Sequence, residues 1–475
     1  MKTYDVAIIG AGSAGLTAQR EVAKATDRYV VLDPGPLGTT CARVGCMPSK
    51  VLIQVAKDFH RRHQFKKMGI LGSQSLSLDS KETLNYLRKL RDRFVQGTLK
   101  GMEDWTPQHL ITKKARFLDL NTLDAEGEII KAQKIIIATG SSPVLPKAWQ
   151  DYQEHFLTTD DLFELKELPQ ELAIIGLGAI GLEMGQALSR LGVKVVGIDR
   201  KRELDGISSP PILEAAIQHF SQEFSLYFEG VEILEKTKHG LRIKSGKEQW
   251  EFEKILLTMG RKPNLDSLDL AKLGIPLDER GMPHLEEDTL RIKNTPIYLV
   301  GDANGRRALL HEAADEGSIA GYHSTRGQEE CFARRIPLSI IFTDPNIALI
   351  GKSYQKLIEE KRDFALGEVN FAKQGRAIIK GENNGLAQLY ADKKDGQFLG
   401  AEIFAPDGEH LAHLLAWALS SKLKVFDMLS MPFYHPVLEE ALRSALRKLA
   451  YQIEIKAPEL DLARCQEAPA GSFLK

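Results

Sequence analysis

At 475 residues the chain is too long for a single hydrophobic core, and two to four domains are expected. Its 63 Lys and Arg nearly balance 64 Asp and Glu, a charge pattern that points away from nucleic-acid and anionic-membrane partners. A hydrophobic content of 43% with only four cysteines fits a globular protein of a reducing compartment and excludes a secreted disulfide scaffold.

The N-terminus runs directly into the strand-like Tyr4 to Ile9, which leaves no residues for a signal peptide, and no apolar run reaches membrane-spanning length. A cytoplasmic location is therefore expected. The strand leads into Gly10-Ala11-Gly12-Ser13-Ala14-Gly15, then a helix from Leu16 towards Lys24, then a second strand, Tyr29 to Leu32, ending in Asp33. This is a full βαβ dinucleotide fingerprint. Gly10 allows the tight turn, Gly12 lets backbone approach a pyrophosphate at the helix start, and Gly15 lets the helix pack on the sheet. Asp33 is placed to accept hydrogen bonds from a ribose diol.

The next stretch, Gly38 to Lys50, holds Cys41 and Cys46 ahead of a helix read over Val51 to Phe59. Residues five apart in a regular helix are separated by ~7.5 Å of rise, whereas a disulfide wants Cα atoms within about 7 Å. Pairing of the two cysteines would require irregular backbone, and Gly45 permits it. So short a loop makes a poor staple. Held near a helix start, where a thiolate is favoured, it suits redox chemistry. The alternatives are two reduced core cysteines or half of a metal site, and no second Cys/His pair with ligand spacing accompanies them. Cys331 and Cys465 read as isolated thiols.

Ser80 to Met102 reads as a charged helix, and Lys134 to Ala138 as a strand whose Gly140-Ser141-Ser142-Pro143 turn crosses to the next domain. The fingerprint then returns. Leu172 to Ile175 leads into Gly176-Leu177-Gly178-Ala179-Ile180-Gly181, a helix to Leu191, and a strand from Val193 to Ile198 ending at Asp199. Gly176 stands as far from Asp199 as Gly10 does from Asp33, so one chain carries two dinucleotide units. With a dithiol beside the first, the natural reading is a relay from nicotinamide through flavin to disulfide. Asp199 favours a free 2′-OH, and so NAD; Arg200, Lys201 and Arg202 keep NADP open. Glu183, near the start of the second helix, complements its dipole.

Ile255 to Leu257 is a buried strand before the turn Gly260 to Asn264. Thr295 to Val300 is another, ending at Asp302, which either meets a cofactor polyol or caps the following helix. From Pro337 the chain becomes β-rich (Ile340 to Phe342, Ala348 to Gly351, Phe398 to Phe404) among amphipathic helices, a third domain. Near the end, Pro436 suits a first helical position, which places His435 at the cap with Glu440 one turn on. That is an oriented acid/base or an ordinary cap.

Together these motifs resemble the pyridine nucleotide-disulfide oxidoreductases whose redox pair sits on the FAD domain, most closely the dihydrolipoamide dehydrogenase type. The resemblance spans nearly the whole chain. It implies an α/β fold with two Rossmann-like domains and a C-terminal α+β interface domain. FAD binding is expected over 1–148 and 269–336, NAD(P) binding over 149–268, and dimerisation over 337–475. It implies that Cys46 contacts the flavin, that Cys41 exchanges with substrate, and that Lys50 and Glu183 lie beside the flavin N5. Asp302 matches the ribitol contact, Leu310 and His311 the peptide beside the ring, and Gly140 belongs to the matched Ala138-Thr139-Gly140 at the cofactor. Ala115 stands where a glycine usually meets the adenine; Val231 and Gly260 fall where the family lines the NAD site. His435, oriented by Glu440, matches a general base that serves the dithiol of a second subunit, so a homodimer is expected. The implied substrate is a small or protein-bound dithiol of dihydrolipoamide kind, with NAD as acceptor. The alternatives are an NAD(P)H-dependent reductase of another disulfide, like glutathione reductase, and a redox-sensing flavoprotein that acts through a binding partner. Arg43 and Tyr434 depart from the usual motifs and bear on substrate choice.

Overall fold

The chain divides into two compact units in a computed structural model. One comprises Met1–Leu52, Asp79–Leu168 and Leu256–Arg334, the other Ile53–Leu78, Pro169–Ile255 and Arg335–Lys475. The structure describes residues 2–327 and 330–462, so Cys465 lies outside the described residues.

The first unit is built on buried apolar runs. Val6 to Ile9, Val30 to Leu32, Ile135 to Ile137 and Ile297 to Leu299 are almost wholly buried, as strands covered on both faces must be. Their sheet runs in the order Leu110–Ile111, Tyr29–Leu32, Lys2–Ile9, Glu128–Ile137, Thr122–Ala125, Arg116–Asp119, with Ile297–Leu299 also paired to Glu128–Ile137. Ile9 is in register with Leu32 and Ile137, and Ile137 with Leu299, so four parallel strands end at one level. Ligands of open α/β sheets bind outside such carboxyl ends. Helices Ser13–Ala23 and Leu310–Thr325 pack together at small residues. A Cβ on Gly317 would come within 2.2 Å of the Ala14 carbonyl oxygen. The segments expected to be plain turns at 140–143 and 260–264 instead contain an antiparallel pair, Ser141–Pro143 with Arg261–Pro263.

In the second unit Glu171–Ile175, Lys194–Ile198 and Ser225–Tyr227 form the parallel core of the second βαβ unit, with helix Ala179–Arg190 following its first strand. The C-terminal part is an antiparallel sheet ordered Leu338–Ile341, Asn346–Gly351, Phe398–Ala405, Leu386–Asp392, Phe364–Asn370. Helices Gly408–Ser420 and Glu440–Ala450 supply Leu411, Leu415, Leu442 and Leu446 to its apolar core. The last two strands escaped the sequence reading because buried polar residues interrupt their pattern. Gln388, for one, accepts from Ser209 Oγ and donates to Glu368.

The helix that opens the second dinucleotide unit is anchored at its far end by charge. Buried Arg190 pairs with Glu223 and Asp344, each at 2.7 Å, and Gln186 adds bonds to both residues. Burial pushes the Glu223 carboxyl up, but hydrogen bonds from His219 and Arg190 win and hold it down at about 2, against an ordinary 4.5. A carboxyl depressed in the folded state contributes stability above the unfolded value and loses it as pH falls through the folded one. Unfolding free energy should therefore decline between roughly pH 4.5 and 2. Denaturant titration of Glu223→Gln at neutral pH should show a loss of about 3–5 kcal/mol, the cost of a broken buried pair. An unchanged midpoint would mean that the network anchors nothing.

Candidate active site and its two dinucleotide turns

At the first turn Gly10 has φ +108, and a Cβ there would meet the Ala138 carbonyl oxygen at 2.3 Å; one on Gly15 would meet the Gly10 carbonyl oxygen at 1.9 Å. Gly12 differs: nothing lies within 4 Å of its added Cβ. Gly10 and Gly15 are required by the fold, and Gly12 leaves room for something else. That room is a cavity of about 370 Å³ bordered by Gly10 to Gly12, Asp33, Arg43, Lys114, Ala115 and Gly140. Asp33, expected at a ribose, already accepts from the backbone: Ala11 N–H reaches Oδ2 at 2.6 Å and Gly35 N–H reaches Oδ1 at 2.7 Å. Each carboxylate oxygen keeps a lone pair for a hydroxyl.

Gly140 accepts from Asn264 N–H at 3.0 Å, and Thr139 and Asn264 exchange two further hydrogen bonds. Asp302 is not a helix cap. It accepts from Ser141 Oγ at 2.7 Å, and that oxygen in turn accepts from Arg261 Nε at 2.8 Å. Leu310 and His311 open the helix that follows and are exposed. Asn264, Ser141, Arg261 and Lys114 were not singled out from sequence, because isolated polar residues in turns carry no spacing signal. Arg43, whose departure from the usual motif was expected to bear on substrate choice, donates from its guanidinium to the Pro36 carbonyl at 3.1 Å and borders this cavity.

The dithiol sits where two helices break. Thr39 caps the short helix Thr40–Arg43, which carries Cys41; the chain leaves helical geometry at Val44, and Cys46 begins helix Cys46–His60, five residues before the expected start. A Cβ on Gly45 would lie 3.1 Å from the Thr40 carbonyl oxygen, so the close return of the chain depends on this glycine. Cys41 is half-buried and Cys46 exposed. A hydrogen bond to Cys46, and secondly burial, push the Cys41 thiol far above its ordinary range, while Lys50 pulls weakly the other way. The thiolate favoured by a helix start is thus not found at Cys41 while Cys46 is reduced beside it. Thiols this close affect each other's titration. Lys50 lies on the same helix, with Nζ 3.5 Å from Ser49 Oγ.

The second turn repeats the first. Gly176 has φ +101, and Asp199 accepts from Leu177 N–H and Arg200 N–H, both at 2.6 Å. Gly178 precedes the helix and Gly181 is buried within it. Glu183 is also buried and accepts from Phe342 N–H at 2.9 Å, a tertiary role beyond dipole complementation. Arg202 is paired with Glu214, and Lys201 lies 3.7 Å from Glu203. Val231 follows Gly230, whose N–H donates to the Asp199 carbonyl. Gly260 belongs to the first unit, with φ +94 and its carbonyl accepting from Val144 N–H.

The His435–Pro436 segment corrects another expectation: the helix begins only at Glu440, and Pro436 is outside it. The reason is local. Glu440 turns back to accept from Val437 N–H at 3.2 Å and meets His435 Nδ1 at 3.0 and 3.1 Å, and the hydrogen bond with His435 holds its carboxyl below the usual range. A donating Nδ1–H leaves Nε2 of the exposed imidazole as the acceptor.

Two clamped dinucleotide turns, a dithiol next to the first and a carboxylate-oriented histidine define a two-nucleotide disulfide oxidoreductase. Comparison with known proteins places it more closely. The profile of the pyridine nucleotide-disulphide oxidoreductases matches residues 4–317, and that family's dimerisation domain matches 337–446. The chain belongs to this family. It is 30% identical over 461 residues to dihydrolipoyl dehydrogenase of Bacillus subtilis, covering 93% of this chain and 97% of that one. It is 27% identical over 449 residues to mercuric reductase of Bacillus cereus, covering 93% and 71%. The fold matches the HOCl-induced flavoprotein disulfide reductase RclA from Escherichia coli with a TM-score of 0.81 at 21% identity, over 94% of this chain and 99% of that one.

The enzyme is an FAD-dependent disulfide oxidoreductase that uses NAD(H). The residues present fit those groups, since the open face of Gly12 borders a cavity and each glycine turn ends at the start of a helix. Among the described residues no helix is long and apolar enough to cross a membrane, and no cluster of three or more His, Cys, Asp or Glu is arranged to hold a metal. Gly12→Val should purify folded, with a melting temperature close to that of the deflavinated parent but without yellow cofactor. Gly10→Ala should be destabilised whether or not FAD is present, which thermal unfolding with and without added FAD will check.

Proposed function

We propose that the chain oxidises a dihydrolipoamide-like dithiol with NAD, and that Cys41, Cys46, His435 and Glu440 carry the chemistry. The observation that supports this most is the hydrogen-bonded Cys41–Cys46 pair at a helix junction beside the first dinucleotide turn. A substrate thiolate attacks the Cys41 sulfur of the oxidised pair, and Cys46 leaves as a thiolate at its helix N-terminus, where negative charge is favoured. His435 Nε2 takes the proton of the second substrate thiol, whose sulfur then displaces Cys41 and closes the substrate disulfide. Glu440 holds the imidazole in the acceptor tautomer and offsets its positive charge. The electron pair now rests on Cys41 and Cys46. Bound beside Cys46, FAD supplies the two-electron step between this dithiol and NAD.

We assign FAD binding to 1–148 and 269–336, with Gly10, Gly12, Gly15, Asp33, Lys50, Ala115, Gly140, Asp302, Leu310 and His311 at the cofactor. NAD binding falls to 149–268 through Gly176, Gly178, Gly181, Asp199, Val231 and Gly260. Asp199 favours NAD over NADP, and pairing with Glu214 engages Arg202, one of the three cations that a 2′-phosphate could recruit. The 337–475 domain would form a homodimer in which His435 serves the dithiol of a second copy. Relatives named dihydrolipoyl dehydrogenase suit this reading, and the proposed location is the cytoplasm.

Two measurements test it. Anaerobic NADH should expose two new titratable thiols per wild-type chain, and Cys41→Ser or Cys46→Ser should abolish lipoamide turnover while FAD stays bound. Lipoamide turnover surviving in either variant would overturn the mechanism. His435→Gln should slow dihydrolipoamide oxidation by roughly 10²–10⁴-fold, with FAD content unchanged.

A further inference from the structure

The matched turns differ in what faces them. At the first, Gly10 to Gly12 open on a cavity whose wall includes Arg43, and Asp33 is clamped by two backbone N–H groups just as Asp199 is at the second. At the second, a carboxylate of the chain itself stands over the glycine turn. Asp205 Oδ2 accepts from the N–H of Ala179, the first residue of the helix, at 3.2 Å, and lies 3.9 Å from where a Cβ on Gly178 would be. The start of such a helix is where a dinucleotide pyrophosphate binds, and its N–H groups are the donors the phosphates use.

Asp205 is held there by its neighbours. Leu204 and Ile207, on either side, are buried, while Asp205 itself is exposed. Gly206 adopts φ +75, and a Cβ on it would strike Leu349 at 2.1 Å. The N–H groups of Ser208 and Ser209 both donate to the fully buried Glu402, at 2.9 and 2.8 Å. The loop is therefore pinned on both sides of Asp205, and only the side chain can yield. Of the cations that precede it in the loop, Arg202 is engaged by Glu214 and Lys201 lies near Glu203.

We infer that Asp205 sets the affinity of the second site by holding a negative charge in the pyrophosphate seat of the nicotinamide dinucleotide, so that this nucleotide exchanges readily while the first is retained. The inference rests on NAD(H) binding at Gly176 to Gly181, and it adds a residue that no dinucleotide motif contains. Asp205 is a positioning and selectivity residue that acts on the bound phosphates, with no part in the electron relay. NAD must displace its carboxylate and then bind beside it.

The test is calorimetric titration of oxidised, FAD-loaded protein with NAD, with adenosine competition as the phosphate-free control. Asp205→Asn and Asp205→Ala should each bind NAD about three- to tenfold more tightly, as expected for removing one charge at a helix N-terminus. Adenosine affinity and FAD content should not move. In turnover, KM for NAD should fall by a similar factor while dithiol KM stays constant. Unchanged or weaker NAD binding in both variants, against a parent that binds NAD, would overturn the role of Asp205 and leave the dinucleotide assignment standing. If parent and variants all retain FAD and none binds NAD, the assignment of the second turn fails and the inference fails with it.

Discussion

The nucleotide-binding half of each unit depends on one interaction: a strand-end carboxylate accepting the N–H of the residue after the first glycine. Asp33 does this for Ala11 and Asp199 for Leu177, both at 2.6 Å. A turn leaving the end of a buried parallel strand carries N–H groups that no strand can satisfy. A charged acceptor on the neighbouring strand fixes the first of them, and charge-assisted bonds of this kind are stronger than neutral ones. With that N–H held, those at the helix start remain directed outward. Gly10 and Gly176, both at positive φ, are needed because the clamp closes only if the backbone turns this way.

The redox centre follows from a different constraint. Two thiols must come within bonding reach while one occupies a helix N-terminus, and a continuous helix cannot bring residues five apart that close. The chain solves this by stopping at Val44 and starting again at Cys46, with Gly45 passing close to the carbonyl of Thr40. Once the sulfurs share a hydrogen bond, the acidity of one depends on the other, which is why Cys41 taken singly is pushed upward. The C-terminal histidine is governed by the same economy of groups. Glu440 serves both a backbone N–H and the imidazole, and so fixes a loop and a tautomer together.

The glycine turns, the acids at the strand ends, the cysteine pair and the His435–Glu440 contact could all be read from sequence. Each rests on short-range geometry in which spacing along the chain decides spacing in space. Other features depend on what the fold brings together. Arg43, expected to bear on substrate choice, also lies on the wall of the cavity at the first glycine turn. Asp302 was open between polyol contact and helix cap until Ser141, far along the chain, was found donating to it. Pro436 satisfied every local rule for a first helical position, yet Glu440 bound the loop instead and delayed the helix.

By itself the sequence determined that there are two dinucleotide units of one design, a closely spaced cysteine pair, and a histidine with a carboxylate five residues on. These are periodic or closely spaced patterns, and backbone sterics leave them few conformations. Only the tertiary structure decided which polar groups reach those motifs from elsewhere: Asn264 at Gly140, Arg261 behind Asp302, Phe342 on Glu183, and Asp205 at the second helix start. Hydrogen bonds and charges act over a few ångströms of space whatever the separation along the chain. What surrounds a motif is therefore settled by folding, even where the motif itself is plain.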